Sequence, residues 1–384
     1  MMHIAINAHL LAHTRSFRRA GVSHYIEQLL YHLALVDQHN HYTIHTTRGL
    51  DAPALGLPPR FAVHASRLPT INPRIRIPWE QVLAPLLLRW NQADLFHGTL
   101  NVVPFACPVP SVVTIHDLAF IRFPQTFRAY NRTYLDFATR VSVRQAVRIL
   151  AVSEHTKQEV VGLLGVPSER VVVTPNAARD HFRPPDPPVL AAFRTRHSLP
   201  ERFILYVGTL EPRKNLTTLL EAYSQVVRDD PVPLLIGGGK GWMYQPVFER
   251  LEALGLRDQV HFVGYIDEQD LPLWYAAARM FVFPSLYEGF GMPPLEAMAC
   301  GTPVVTSNTS SLPEVVGDAG LMVAPTDTSA MAGAMLRLLH DDALYWHLRE
   351  QGLRRARHFS WRTSAEQTLM AYEQARLTAV ADTV

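Results

Sequence analysis

Two glutamates, Glu288 and Glu296, stand eight positions apart in the stretch EGFGMPPLEA, with Gly289 and Gly291 between them. The prolines at 293–294 fit the first turn of a helix, where the helix itself needs no N–H. A helix N-terminus favours an anion, and glycines let backbone approach a ligand closely. Carboxylates are poor phosphate partners but accept hydrogen bonds from hydroxyls. We therefore predict that they hold sugar and ribose hydroxyls on either side of a diphosphate; the alternative is two solvated side chains flanking a loop.

A second stretch, VGTLEPRKNL at residues 207–216, places two adjacent cations, Arg213 and Lys214, after a strand and Gly208. Asn215 follows them and would cap the next helix. Arg binds phosphate as a fork and Lys as a point charge, so the pair would neutralise a diphosphate. An exposed basic turn is the alternative. Because both stretches follow predicted strands in the same half of the chain, a common ligand is favoured.

The first half of the chain contributes two weaker signals. VVTIHDLAF, at residues 112–120, ends a predicted strand at His116 and Asp117, where the histidine could meet a sugar hydroxyl. Gly21 in RRAGVSHYIEQLL precedes a predicted helix, whose N-terminus would suit a phosphate. A structural histidine and an ordinary turn glycine are the alternatives at these positions.

The elements that must position these residues alternate along the whole chain, which predicts an α/β fold with parallel sheets. The expected strands are His3–Asn7, Tyr42–Thr46, Asp94–His97, Val112–Ile115, Arg148–Val152, Arg170–Thr174, Phe203–Val207, Pro233–Ile236, Val260–Phe262, Met280–Phe283, Val304–Thr306 and Leu321–Val323. The expected helices are Val22–Val36, Asn131–Val147, Ser153–Leu164, Leu216–Arg228, Pro246–Leu254, Pro293–Met298, Ser329–Leu339 and about Thr363–Leu377. The proline-rich stretch HFRPPDPP at residues 181–188 predicts a linker between two doubly wound domains that face a cleft. In such sheets, ligands bind beyond the carboxyl ends of the strands.

The composition describes a globular chain. At 384 residues, with 48% hydrophobic and 18% charged residues, it has room for about two domains. Lys and Arg outnumber Asp and Glu in residues 1–180, and the reverse holds in the remainder. This asymmetry favours an acidic partner or a membrane surface for the first half, or else reflects an arginine-rich proteome.

The compartment is addressed by the cysteines and the N-terminus. Cys107 and Cys300 match no metal-ligand spacing and read as free thiols in a reducing compartment. No apolar run approaches membrane-spanning length, and MMHIAINAHL reads as a first strand and not as a signal peptide. We therefore expect a cytoplasmic protein.

Taken together, these stretches resemble the family-4 glycosyltransferases of the GT-B fold, close to the bacterial group-1 enzymes that include mannosyltransferases of O-antigen, capsule and exopolysaccharide pathways. The E-x7-E spacing from Glu288 to Glu296 is the most specific signature. VGTLEPRKN, GYIDEQDLPLWY, PSLYEGFGMPPLEAMACGTPVV and SSLPEVVGDAG also match. The resemblance implies two Rossmann-like domains. Residues 1–183 would form the acceptor-side domain, joined by a C-terminal helix at about 363–384, and residues 184–362 the nucleotide-sugar domain.

The same resemblance implies roles for individual residues. Arg213 and Lys214 would bind the diphosphate. Glu296 would hold the ribose and Glu288 the donor hexose, while His116 would contact the transferred sugar. The other donor contacts would lie near the phosphates, the sugar and the base, at Gly21, Gly208, Gly264, Tyr265, Ile266, Gly289, Phe290, Gly291 and Met292.

The implied reaction moves a hexose from a nucleoside diphosphate to an acceptor hydroxyl, keeps the anomeric configuration and needs neither a metal nor another cofactor. No D-x-D motif occurs in the sequence, in agreement with metal-independent chemistry. GDP-mannose is the donor that the overall resemblance favours. Asp117 neighbours His116 along a strand and would point to the opposite face, so we expect departure and attack on one face of the sugar. Family members carry Gly-Gly where this chain has Ala20-Gly21, which weakens the expected contact of the first position.

Three alternatives stay open on the sequence alone. They are a UDP- or ADP-glucose-type donor, an epimerase or phosphorylase on the same fold, and a non-catalytic sugar-nucleotide-binding protein. A phosphorylase would carry pyridoxal phosphate on a lysine, and the only three lysines, Lys157, Lys214 and Lys240, lie in no suggestive setting. Nucleic acid is not expected as a partner, because the basic residues lack interleaved aromatics at a recognisable motif.

Two features address the acceptor. RIRIPWEQVLAPLLLRW, at residues 74–90, mixes Arg, Trp and Leu and is typical of a membrane-interface segment or of a core-packed helix. Arginines recur at multiples of four, at Arg128, Arg132, Arg140, Arg144 and Arg148, and those on the predicted helix would share a broad face. A solvated stripe is the alternative. We predict a glycan or lipid-linked glycan acceptor, reached at the inner face of an anionic membrane.

Overall fold

The computed structural model describes residues 1–11, 21–50, 55–127 and 129–381. The chain divides into two compact units. Unit 1 comprises Met1–Asn176 together with Ser360–Val384, and unit 2 comprises Ala177–Phe359. Each unit contains a parallel sheet with helices in its connections, so the predicted α/β class with two Rossmann-like domains is confirmed.

Unit 1 holds a sheet that, within the described residues, has seven parallel strands in the order β3-β2-β1-β4-β5-β6-β7. The strands are β1 His3–Ala8, β2 His41–Thr46, β3 Phe61–Ala65, β4 Leu95–Gly98, β5 Ser111–Ile115, β6 Arg148–Ala151 and β7 Val171–Val173. The edge strand β3 is absent from the predicted strands, because most of its residues are only partly buried and its apolar signal is weak. The strand order reverses between β1 and β4, which makes their carboxyl ends a topological switch point.

The helices of unit 1 connect these strands. They are α1 Gly21–Val36, α2 Pro73–Pro78, α3 Ala84–Trp90, α4 Ala119–Arg122, α5 Ala129–Gln145, α6 Glu154–Leu164 and the C-terminal helix Trp361–Ala381. A π-helical turn, Trp79–Leu83, joins α2 to α3. The C-terminal helix packs against α1 and is fixed to the sheet by Tyr372, whose hydroxyl lies 2.7 Å from Nδ1 of His97 on β4.

Unit 2 holds a six-stranded sheet, again counted within the described residues, in the order β10-β9-β8-β11-β12-β13. The strands are β8 Ile204–Val207, β9 Leu234–Gly237, β10 Val260–Gly264, β11 Met280–Phe283, β12 Val304–Ser307 and β13 Gly320–Val323. All pairs are parallel, with Phe281 opposite Leu205 and Val304. The order reverses between β8 and β11, so the loops that follow these two strands meet at the switch point.

The helices of unit 2 include several that the sequence pattern does not predict. The full set is α7 Pro187–Arg196, α8 Leu216–Asp229, α9 Gln245–Ala253, α10 Leu271–Ala277, α11 Met292–Ala299, α12 Leu312–Val316, α13 Thr328–His340 and α14 Asp342–Ala356. Helices α7, α10, α12 and α14 are absent from the predicted ones. The last two prolines of the predicted linker, Pro187 and Pro188, begin α7 because the first turn of a helix needs no proline N–H.

Two further expectations concern membranes and thiols. No helix of the described ranges combines the length and the apolar character needed to cross a bilayer. Cys107 is partly buried, Cys300 is buried, and both are free thiols, as expected.

Candidate functional site

The switch point of unit 2 brings together the two stretches that the sequence singles out. The loop after β8 and the loop after β11 are joined by Leu286, whose N–H donates to the carbonyl of Arg213 at 2.9 Å. Asn215 extends the junction, because its side-chain amide donates to the carbonyls of Pro284 at 3.1 Å and Pro325 at 2.7 Å. Asn215 occupies the N-cap position of α8 in the left-handed conformation, with φ +60°. Its side chain therefore ties loops together and does not cap the helix as predicted.

Charged side chains converge where these loops meet. Nζ of Lys214 lies 2.5 Å from Oε1 of Glu288, and the Arg213 guanidinium lies 3.5 Å from Oε2 of Glu288. Arg213 also pairs with Glu211 at 2.9 Å, and Ser285 donates to Oε1 of Glu288 at 2.6 Å. Two cations thus face two buried carboxylates. Glu211 and Ser285 belong to this cluster but were not predicted, because a buried acid beside Pro212 carries no sequence signal of its own.

The ionisation of Glu288 is set by these partners. Burial alone would raise the pKa of Glu288, but the charges of Lys214 and Arg213 outweigh it and hold the pKa below its ordinary value. Glu288 is therefore an anion at neutral pH. Lys214 also lies over the ring of Phe283, with Nζ 5.0 Å from the ring centre.

The helix after this loop, α11, begins at Met292, so the two prolines occupy its second and third positions and supply no N–H. The helix turn itself is therefore a poorer donor of N–H groups than the sequence suggests. Backbone donors lie just before the two prolines. Among the described residues, the N–H groups of Phe290, Gly291 and Met292 have no hydrogen-bond acceptor. Gly291 has φ +112°, and a Cβ there would lie 2.9 Å from a methyl group of Leu312.

Glu296 lies inside α11 and has a different environment from Glu288. It is buried, and the hydroxyl of Tyr275 donates to its Oε2 at 3.2 Å. Burial raises the pKa of Glu296 to about 7, against the opposing effects of Arg179 and the Tyr275 hydrogen bond. Tyr275 and Arg179 are further members of the site that were not predicted, since they come from distant parts of the chain.

Glycines at the strand ends of unit 2 let backbone segments approach closely. A Cβ on Gly208 would lie 2.7 Å from the Tyr206 hydroxyl, and a Cβ on Gly238 would lie 2.0 Å from the carbonyl oxygen of Gly208. Gly264 ends β10 with φ +76° and accepts the Gly238 N–H at 2.7 Å. Of the residues that follow it, Tyr265 is half exposed and Ile266 is buried. Backbone packing therefore requires these glycines, independently of any ligand that approaches them.

In unit 1, His116 follows β5 with a defined tautomer. Its Nε2 lies 2.8 Å from the carbonyl oxygen of Thr99, and since a carbonyl only accepts, Nε2 carries the proton and Nδ1 presents a lone pair. The ring packs edge-on against Tyr25, with ring centres 4.7 Å apart. Burial lowers the pKa of His116, against the opposing effects of Thr99 and Asp117, so the imidazole is neutral. Asp117 instead accepts the N–H of Ala119 at 3.0 Å.

The other residues of unit 1 that the sequence singles out are Gly21 and the series of arginines. Gly21 is the exposed first residue of α1, and a Cβ there would meet nothing within 4 Å. Ala20 and Arg128 lie outside the described residues. Of the other arginines, Arg140 pairs with Asp136 at 2.9 Å and Arg148 bonds to Gln374 at 3.2 Å, so this series is only partly a free basic surface.

The structure thus joins Arg213, Lys214 and Glu288 in direct contact and places Glu296 in a separate buried setting. His116 and Gly21 belong to unit 1. In the part of the chain that the structure describes, no group of three or more His, Cys, Asp or Glu side chains is arranged to hold a metal ion.

Comparison with known proteins adds independent information. Residues 19–180 match the family model "Glycosyltransferase Family 4", and residues 191–355 match "Glycosyl transferases group 1". The O-antigen chain mannosyltransferase B of Escherichia coli is 36% identical over 303 residues, which are 76% of this chain and 78% of that protein. The serotype-specific mannosyltransferase WbdA of Escherichia coli is 34% identical over 284 residues. These residues are 70% of this chain and only 34% of WbdA.

Solved structures of similar architecture include sucrose-phosphate synthase from Thermosynechococcus elongatus. It has a TM-score of 0.80 at 24% identity and covers 99% of this chain and 100% of that chain. WaaG, a glycosyltransferase of lipopolysaccharide biosynthesis, has a TM-score of 0.72 at 17% identity, with 95% and 98% of the two chains covered. At these identities the likeness establishes the fold alone.

Proposed function

This chain belongs to the group 1 glycosyltransferases and has the GT-B fold, and on that premise we propose which reaction it carries out. It moves a mannosyl residue from GDP-mannose to a hydroxyl of a glycan or lipid-linked glycan and keeps the configuration at the anomeric carbon. The relatives named as mannosyltransferases support the choice of sugar. The alternatives are a UDP- or ADP-glucose-type donor and a non-catalytic sugar-nucleotide-binding role.

The observation that carries the proposal is the ion-pair cluster at the switch point of unit 2. Lys214 and Arg213 are held by Glu288 and Glu211, so both cations are positioned before a donor arrives. A donor diphosphate offers these cations stronger partners, because phosphate oxygens accept charge-assisted hydrogen bonds. Glu288, once it shares Lys214 with the diphosphate, can accept hydrogen bonds from hexose hydroxyls.

The other donor contacts follow from the same placement. Glu296 accepts hydrogen bonds from the ribose hydroxyls, and the backbone of residues 290–292 supplies N–H groups to the sugar or phosphate. Residues 264–266 lie near the base. Gly208 and Gly21 are the points where backbone approaches the diphosphate.

In the proposed reaction, the bond between the anomeric carbon and the leaving phosphate oxygen breaks, and its electron pair stays on the phosphate. Arg213 and Lys214 offset the charge that develops there, so no metal and no other cofactor is needed. The acceptor oxygen forms the new bond from the same face of the sugar, and its proton passes to the leaving phosphate. Nδ1 of His116, which is unprotonated because Nε2 donates to the Thr99 carbonyl, accepts a hydrogen bond from a hydroxyl of the transferred sugar.

We further infer that the protein contacts an anionic membrane at its cytoplasmic face. The supporting feature is an exposed apolar surface on residues 82–90, formed by Val82, Leu83, Leu86 and Trp90, with Trp90 83% exposed. On the same segment Ala84 and Leu88 are buried, so it packs against unit 1 on one side only. Exposed apolar side chains flanked by arginines suit a lipid interface and a lipid-linked acceptor.

The test of donor class is a thermal-shift titration with GDP, UDP and ADP, repeated on Glu296→Ala. GDP at 100 times its Kd should stabilise the wild type by about 2.7 kcal/mol, and UDP and ADP should do so far less. Glu296→Ala should lose the effect, whereas Glu249→Ala, which removes an exposed carboxylate of α9, should keep it.

Two outcomes would contradict this assignment. Stabilisation by UDP or ADP in place of GDP would change the donor, and equal stabilisation of wild type and Glu296→Ala would remove Glu296 from the ribose. Transfer from GDP-mannose measured with and without EDTA tests the metal independence, and loss of transfer in EDTA would overturn it.

A further inference from the structure

A buried polar cluster in unit 1 has no part in the donor site described above. It lies at the carboxyl end of β1 and comprises Asn7, His9, Arg76, Glu80 and Tyr134, here called the Glu80 cluster. The amide of Asn7 donates to Oε1 of Glu80 at 2.9 Å, and Nε of Arg76 lies 3.5 Å from the same oxygen. Tyr134 is close enough for the charges of Glu80 and Arg76 to act on its pKa. Glu80 is only 7% exposed.

Glu80 is placed there by an unusual backbone. It is the second residue of the π-helical turn Trp79–Leu83, in which the N–H of Ala84 donates to the carbonyl of Trp79 five residues earlier. Such turns are rare in globular proteins and occur frequently at functional sites, because they widen the helix and weaken its hydrogen bonding. The turn sets Glu80 beside Asn7 at the end of a strand.

The cluster contains polar atoms that find no hydrogen-bond partner among the described residues. His9 is 1% exposed, and its Nδ1 lies 2.8 Å from the hydroxyl of Thr70, but its Nε2 has no hydrogen-bond partner among the described residues. Nε2 of the neighbouring Gln81 is likewise unpartnered within that part of the chain. A buried polar atom without a partner is destabilising, so such atoms mark a place where a ligand or water can bind.

The position of the cluster connects it to the sugar-binding histidine. It lies at the switch point between β1 and β4, where ligands bind in doubly wound sheets. The Thr99 hydroxyl donates to the backbone carbonyl of Asn7, and the Thr99 carbonyl accepts from Nε2 of His116. A single residue, Thr99, therefore separates the Glu80 cluster from His116.

We propose that the Glu80 cluster is the subsite for the acceptor sugar, with Glu80 accepting a hydrogen bond from one of its hydroxyls and Nε2 of His9 bonding to another. This inference rests on the proposed glycosyl transfer. The ligand class follows from the chemistry of the described residues of the cluster: a carboxylate and an amide suit neutral hydroxyls, and Arg76, the cation placed among them, is already beside Glu80.

The experiment measures transfer from GDP-mannose to methyl α-mannoside by wild type, Glu80→Gln and Glu159→Gln. Glu159 is a buried carboxylate paired with Arg122 at 2.6 Å elsewhere in unit 1 and controls for the loss of a buried charge. Glu80→Gln should raise the KM for methyl α-mannoside at least tenfold. Its KM for GDP-mannose and its thermal shift with GDP should stay within twofold of wild type. Glu159→Gln should leave both KM values within twofold.

A matched pair at His9 tests the subsite without changing a charge. Asn at this position can reach Thr70 as Nδ1 does but has no atom at the place of Nε2, whereas Gln can reach the place of Nε2. His9→Asn should therefore raise the acceptor KM severalfold, and His9→Gln should raise it less. If Glu80→Gln fails to fold, the comparison of His9→Asn with His9→Gln still tests the acceptor subsite.

The inference is overturned if the acceptor KM is unchanged in folded Glu80→Gln, or if the two His9 variants are alike. Failure of the proposed function looks different. In that case wild-type protein itself shows no thermal shift with GDP and no transfer from GDP-mannose, and the inference falls with it.

Discussion

Glu288 and Glu296 belong to one short segment, yet their carboxyl groups ionise differently. Burial acts on both, but Lys214 and Arg213 more than offset it at Glu288, whose pKa is lowered. At Glu296 the opposing effects are weaker, and burial raises the pKa to about 7. Two carboxyl groups with separated pKa values suit two roles. Glu288 is an anion that positions the cations. Glu296 is a partly protonated acid at neutral pH, and hydrogen bonds from a ligand would stabilise its charge beyond what Tyr275 and Arg179 provide.

Replacing Glu296 with Gln should change how stability depends on pH. The pKa of Glu296 is raised from 4.5 to about 7 in the folded protein, so its protonated form contributes stability that is fully present below 4.5 and is lost as the pH rises through about 7. The contribution is on the order of 3 kcal/mol. In thermal melts between about pH 5 and 8, wild-type Tm should fall relative to Glu296→Gln. Glu249→Gln should follow wild type, and equal slopes for wild type and Glu296→Gln would contradict a buried, titrating Glu296.

Asp117→Asn should keep more activity than His116→Ala or Lys214→Ala. An Asn oxygen can still accept the Ala119 N–H that Asp117 accepts at 3.0 Å, and the proposed front-face reaction needs no second carboxylate. Lys214→Ala removes the partner of both Glu288 and the proposed donor diphosphate, so its kcat should fall by about 100-fold or more. Steady-state kinetics of the three variants decide the point. Equal losses, or a larger defect in Asp117→Asn, would revive a role for Asp117 on the sugar.

At the scale of elements, the loops of the candidate site in unit 2 are shaped by close backbone contacts at the strand ends. In unit 2 these contacts join the ends of β8, β9 and β10 through Gly208, Gly238 and Gly264. Asn215 adds a left-handed residue that bonds to two other loops. The carboxyl ends of these strands therefore form a connected backbone framework, and Arg213 and Lys214 lie in the loop that follows β8.

Gly238→Ala should disrupt this framework, whereas Gly255→Ala should not. Both glycines have positive φ, at +136° and +66°, but a Cβ on Gly238 would lie 2.0 Å from the Gly208 carbonyl oxygen, and a Cβ on Gly255 would meet nothing within 4 Å. Gly255→Ala should cost about 1–2 kcal/mol of backbone strain. Gly238→Ala should cost about 4 kcal/mol or more, since backbone must move. Urea unfolding measures the loss in the free energy of unfolding for both variants. Similar losses would show that the backbone at the strand ends can move at little cost.

At the scale of the whole molecule, the two units repeat one design with different chemistry. Each has a parallel sheet whose strand order reverses once, and each has its polar cluster at that reversal. Unit 2 collects cations and carboxylates there, which suits a sugar nucleotide. Unit 1 collects His116 and the Glu80 cluster, which suits neutral hydroxyls. The basic excess and the apolar surface of residues 82–90 also belong to the first part of the chain.

Wild-type protein should co-sediment with phosphatidylglycerol vesicles at low salt and less at high salt, because basic residues attract anionic lipid over a short screened distance. Replacing both Leu86 and Trp90 with Asp should reduce binding about tenfold or more, since apolar insertion is lost. Trp346→Asp, at an exposed tryptophan of unit 2, should bind as wild type does. Absence of wild-type binding at low salt would rule out the membrane contact.

The sequence by itself determined the class of fold, the described strands other than β3, and the meeting of the loops that carry Arg213, Lys214 and Glu288. Periodicity and turn residues act locally, and parallel strands fix which loops share a sheet edge. Other features depend on residues far apart in the chain, and only the tertiary structure decided them. Glu211, Tyr275 and Arg179 became part of the site through packing, and the charges of Lys214 and Arg213 separated the pKa values of two similarly buried glutamates. The Glu80 cluster likewise exists only once a π-helical turn is packed against the end of β1.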